Sequence, residues 1–161
     1  GQGNRVTLQV RHSLAVLLYD RGDLVGALGE YTRVLEGQRK LFGDEDRDTL
    51  RTRSTLALLF HDLKDLDRAV NEMEAVLVVQ RRLFGDHDRD TLLTWDRYAL
   101  VLTRCSRLED ARRQFAMLLA IRLEVFGEDD RETLPEAGHP VTVAIAAHPA
   151  SGHRWAGAAC R

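Results

Sequence analysis

The chain of 161 residues is about one domain long, and its 44% hydrophobic residues suffice to bury a core, which excludes disorder of the whole chain. Lys and Arg total 23 against 25 Asp and Glu, and the net charge of -2 gives no general attraction to nucleic acid or to an anionic membrane. No apolar run approaches the ~20 residues that cross a bilayer, no secretory leader opens the sequence, and Cys105 and Cys160 allow one disulfide at most, so a cytoplasmic setting is expected.

In chain order, Gly1, Asn4, Arg5, Thr7 and Leu8 come first, and they stand in register with three later segments. The decamers Leu41 to Leu50 (LFGDEDRDTL), Leu83 to Leu92 (LFGDHDRDTL) and Val125 to Leu134 (VFGEDDRETL) return every 42 residues, and one step back from the first lands on Gly1. The chain therefore opens inside a repeat. A solenoid ordinarily begins with a specialised cap, so this start, on Gly rather than Met, predicts a fragment of a longer protein.

After each decamer the apolar spacing is helical. In the second copy Leu56, Ala57 and Phe60 precede Leu66, Ala69, Val70, Met73, Val76 and Leu77, at intervals of mostly three and four. A break is predicted at Leu63 to Asp65, with its equivalents at Arg21 to Asp23 and Cys105 to Arg107; Gly22 suits a tight reversal. Each unit thus reads as helix, turn, helix. Gly43, Gly85 and Gly127 stand where a left-handed terminating residue is expected, and Asp46, Asp88 and Asp130 are placed to cap the next helix. Asp48 and Asp90 follow in its first turn, where carboxylates favour the positive end of the dipole.

The resemblance that these features carry is to tetratricopeptide repeats. Small residues twelve positions apart, Ala15 with Ala27, Ala57 with Ala69 and Ala99 with Ala111, match the family's pattern. So do Trp95, the large residues Leu14, Leu56 and Tyr98, and the bulky second-helix residues Tyr31, Met73 and Phe115. The 42-residue period is similar to the kinesin light chain variety, as bacterial proteins also carry it, although Asp46-Arg47-Asp48 and Asp88-Arg89-Asp90 replace that variety's His-Pro-Asp linker. The resemblance implies an all-α, right-handed superhelical solenoid of antiparallel hairpins over residues 1–134. Past Leu134, Pro140 falls at the helix-interior position of Leu14, Leu56 and Tyr98, so residues 135–161 are expected to form an irregular tail, a partial cap or disorder.

Chemistry finds little purchase. Asp44, Asp46 and Asp48 alternate like the opening of a calcium loop, as do Asp86, Asp88 and Asp90, but Thr49 and Thr91 stand where that loop needs Gly, and Thr55 and Arg97 where it needs Glu. His139, His148, His153 and Cys160 match no compact zinc motif, and Cys105 has no paired histidine. No cofactor, metal or catalytic residue is assigned, and the chain is not read as an enzyme. The resemblance instead implies a concave groove lined by the first helices. Val16, Leu58 and Leu100 form its floor, flanked by Tyr19, Arg51, His61, Arg97 and Arg104, with Gln9, His12, Ser54, Leu93, Asp96 and Thr103 nearby. A protein or peptide is the expected ligand. The alternatives are the sensor arm of a signalling NTPase, in which such repeats follow a nucleotide-switch domain, and a receptor for a signalling peptide.

Overall fold

A computed structural model describes residues 2–126 as six helices in three antiparallel hairpins, with no strand among the described residues. Their bounds are α1 Gln2–Asp20, α2 Leu24–Phe42, α3 Arg47–Asp62, α4 Leu66–Phe84, α5 Arg89–Arg104 and α6 Leu108–Phe126. Each helix packs chiefly on its neighbours in sequence, and α3 also touches α5, which makes the molecule a solenoid with the first helices of successive hairpins side by side. The expected tail at 135–161 and Asp130 lie outside the described residues, as do Gly127 and the histidines near Cys160.

Helix starts follow the sequence chemistry. The Asp46 carboxylate accepts from the Asp48 and Thr49 amides and that of Asp88 from the Asp90 and Thr91 amides, satisfying donors that a helix N-terminus leaves open. The other acids of the calcium-like alternation serve neighbouring arginines, with Asp44 beside Arg39 at 2.7 Å and Asp86 beside Arg81 at 2.6 Å. One expectation is corrected. Gly43 and Gly85 do have positive φ, 92° and 87°, but ψ of 170° and 169° takes them out of the left-handed helical region into an extended conformation. Each glycine amide still closes on the carbonyl four residues back, at Arg39 or Arg81, and the extended ψ then sends the chain away from the helix toward the next hairpin.

Inside each hairpin the paired alanines meet where the helices cross. Ala15, Ala27, Ala57, Ala69, Ala99 and Ala111 are all buried, and around them pack Tyr31, Met73 and Phe115. A second tie recurs between residues 19 apart: Arg11 to Glu30 at 2.9 Å, Arg53 to Glu72 at 3.1 Å, and in the third hairpin Trp95 to Gln114 at 2.8 Å. Thus one clamp position carries an ion pair twice and a buried aromatic once. A cation over a ring also repeats, with Arg5 above Phe42 and Arg47 above Phe84.

The turn within each hairpin is one motif in three spellings. The amides of Asp23, Asp65 and Arg107 bond to the carbonyls of Leu18, Phe60 and Leu102, and those of Gly22, Lys64 and Ser106 to Tyr19, His61 and Thr103. That double closure requires a left-handed residue, and φ is 81° at Gly22, 69° at Lys64 and 59° at Ser106. A side chain in that region costs roughly 1 kcal/mol, which glycine avoids. Lys64→Gly and Ser106→Gly are therefore expected to raise stability by about 0.5–1 kcal/mol each in urea titrations, after the entropy that glycine adds to the unfolded chain. Unchanged or lower midpoints for both would count against the left-handed turn.

Candidate functional site

Polar contacts join α3 to α5 near their starts and α1 to α3 near their ends. Near their starts Arg47 bonds to Asp88 at 3.0 Å and to Asp90 at 2.7 Å, and Arg51 reaches Asp90 at 3.7 Å. Near their ends the Tyr19 hydroxyl donates to Asp62 at 2.8 Å, a bond that, with burial, raises the phenol above its ordinary range. His61 Nδ1 lies 2.9 Å from the other oxygen of Asp62. Two of the expected groove residues, Tyr19 and His61, thus share one carboxylate.

The floor residues differ from one another. Val16 is exposed, whereas Leu58 and Leu100 are half-buried and pack against the core cluster around Ala57, Trp95 and Ala99. Arg104 is exposed and does not line the concavity beside this row. That concavity is a cleft of about 600 Å³ at the starting ends of the first helices. It brings together Arg51, Arg97, Gln9, His12, Ser54 and Leu93 from the expected set and adds Leu8, Val34 and Gln38. Val16, Tyr19, Leu58, His61 and Leu100 do not line it.

Electrostatically the cleft is uneven. Arg51 has Asp48 at 3.6 Å as well as Asp90. Arg97 makes no hydrogen bond or ion pair with a described residue; burial pulls its guanidinium below the usual arginine range, Asp96 works against this, and neighbouring Arg51 adds to it. In the same cleft Gln38, nine-tenths buried, keeps a side-chain oxygen with no hydrogen-bond partner. The arrangement offers a cation, an open carboxamide and the apolar walls Leu8, Val34 and Leu93 to one ligand. Gln38 was not foreseen because the groove was assigned to first helices alone. A signal existed, since Gln38 and Gln80 recur one period apart on the buried side of their helices.

A family model described as tetratricopeptide repeat matches residues 6–82. Over those residues the chain is built of tetratricopeptide repeats. Among solved structures, the chain is similar to nearly identical TPR-like repeats of a protein described as a kinesin light chain of Podosopora anserina, with TM-score 0.70, 18% identity and 79% of this chain covered. A variant form of the same repeats gives TM-score 0.66, 20% identity and 73% coverage. BtubC (BKLC) from P. vanneervenii gives TM-score 0.70, 16% identity and 89% coverage. The matched part is 60%, 55% and 54% of those three chains, so the repeats here correspond to a little over half of each. No curated protein sequence matches the chain. These likenesses show the fold, a solenoid of TPR-like helical repeats. Repeats of this family are typically protein-interaction scaffolds, and among the described residues no helix is long and apolar enough to cross a membrane.

Proposed function

We propose that the concave side of α1, α3 and α5 binds a peptide segment of a partner protein, and that the segment places Asp or Glu beside spaced apolar residues. The observation that carries this reading is Arg97, a half-buried cation with Arg51 as neighbour and no carboxylate bonded to it. Burying a guanidinium is costly unless an anion compensates it, so a peptide carboxylate gains most where the protein has supplied none. Leu8, Val34 and Leu93 accept an apolar anchor in the cleft, and Val16, Leu58 and Leu100 continue the surface toward the far ends of the helices. The ligand is extended or helical along that track.

Selection of a displayed peptide library against the chain tests the proposal. Enriched sequences are expected to carry acids next to apolar residues, and Leu58→Asp is expected to weaken the selected peptide by about 30-fold, roughly 2 kcal/mol. Because Leu58 also packs on the core, its variant is compared by circular dichroism with wild type and accompanied by Val16→Asp, whose side chain is exposed. Reversing Arg97 and Arg104 to Glu should slow association and flatten its salt dependence. If these variants bind like wild type while reversal of Arg68 or Arg112 on the second helices abolishes binding, the convex side is the working surface.

A further inference from the structure

Gln38 stands in the wall of the cleft with nothing to bond to. It is nine-tenths buried on α2, its Oε1 has no hydrogen-bond partner, and its Nε2 bonds to no described residue. Leaving a buried carboxamide unpaired is costly, and the fold supplies no partner for this one. The same position is treated differently in the later hairpins. Gln80, one period on, is fully buried and does not line the cleft, and Arg122, two periods on, lies 3.9 Å from Asp96. Gln38 is the member of this row that faces a ligand. Its helix is packed between α1 and α3, so the wall lies inside the stack and not at either end of it.

A carboxamide places a donor and an acceptor side by side. What complements both is the N–H and C=O of one residue in extended conformation, the exchange of bonds that joins antiparallel strands. In an α-helix those groups are already bonded to one another and lie about 5 Å beneath the surface of the side chains, so a helical ligand has no main-chain group to bring down onto a nine-tenths buried Gln38. The Gln38 oxygen is buried in the free chain, but the last side-chain torsion of glutamine has a broad minimum, and rotation about that one bond turns the oxygen to the cleft. Arg97 belongs to α5, and α3 stands between, packed on α2 and touching α5. A segment that meets both Gln38 and Arg97 therefore crosses α3. Packed helices lie roughly 8–10 Å apart and an extended residue covers roughly 3.3 Å, so the two contacts fall about three to six residues apart.

We propose that Gln38 is a specificity-determining residue of this cleft, holding one residue of the bound peptide by its main chain in extended conformation, about three to six residues from the acid that meets Arg97. The role rests on the peptide reading of the cleft and narrows it, since an extended ligand satisfies the buried carboxamide and a helical one does not.

The probe is the acid-bearing peptide enriched by the library selection, resynthesised unmodified, with each main-chain amide methylated in turn, and with a hydrocarbon staple that fixes it as a helix. On wild type, methylation at one internal position should weaken binding at least about tenfold, and the stapled form should not bind. Gln38→Leu should lose about the same tenfold on the unmodified peptide and be indifferent to that methylation, while its urea midpoint holds or rises because an unpaired buried carboxamide has been replaced by an apolar side chain. Gln80→Leu makes the same change outside the cleft and should bind like wild type. A purely structural Gln38 would not produce this split between binding and stability. The main-chain role is overturned, with the acid at Arg97 left standing, by methylation that costs nothing at any position or costs both proteins equally, by a stapled peptide that binds as well as the unmodified one, or by Gln38→Leu binding like wild type. A selection that enriches no acid-bearing peptide removes the peptide reading itself and this role with it.

Discussion

Trp95→Ala is expected to cost about 3–5 kcal/mol, because it truncates the largest of the fully buried side chains. The ring lies in the larger core cluster, its Nε1 donates to Gln114 at 2.8 Å, and the Arg81 guanidinium lies 4.5 Å from its centroid. Alanine removes the packing, leaves the Gln114 oxygen without its donor and takes the ring from under Arg81. The first two hairpins use Arg11 with Glu30 and Arg53 with Glu72 at this position, partly exposed pairs that contribute little. Only the third hairpin puts a large ring there, so the loss should be concentrated in α5 and α6. In a solenoid each hairpin leans on its neighbour, and the midpoint is expected to fall on the order of 10 °C with the α5 and α6 amides losing hydrogen-exchange protection first. Gln114→Ala separates the contributions and should cost about 1–3 kcal/mol for the unpaired indole N–H. A Trp95→Ala midpoint within a degree or two of wild type would mean the ring does not hold the third hairpin.

The sequence made the repeat legible because one period can be checked against another. The breaks predicted at Arg21 to Asp23, Leu63 to Asp65 and Cys105 to Arg107 are the turns observed, and the caps at Asp46 and Asp88 bond as the decamer implied. Comparing copies could not reveal the ψ of Gly43 and Gly85, because glycine is the residue chosen for both conformations that were possible there. It also could not show that Lys64 and Ser106 adopt the conformation of Gly22, since neither residue type signals a left-handed backbone. The candidate site was legible as a row of positions and not as a shape. Arg51 and Arg97 meet in the cleft as the register placed them, but the cleft's fourth wall comes from α2, through Val34 and Gln38. A helical wheel assigns faces within one helix; how far a second helix reaches into a groove depends on side-chain size across the interface.

Replacing either alanine of a pair with leucine is expected to cost about 1–3 kcal/mol. Ala57 and Ala69 are fully buried in one cluster with Met73, Trp95 and Tyr98, and lie where α3 and α4 pack together. A leucine adds three carbons to a space already filled to crystal-like density, so the helices must separate or neighbouring side chains must leave their preferred rotamers. Helix propensity works slightly against the effect at most, since Ala and Leu are both strong helix formers. Ala75→Leu on the same α4 isolates the cause, because that residue is exposed and its substitution should move the urea midpoint by less than about 0.5 kcal/mol. Equal midpoints for Ala57→Leu, Ala69→Leu and Ala75→Leu would show that α3 and α4 do not touch at the alanines. Because the pairs at Ala15 with Ala27 and Ala99 with Ala111 repeat the contact, the same failure would undo the register on which the groove rests.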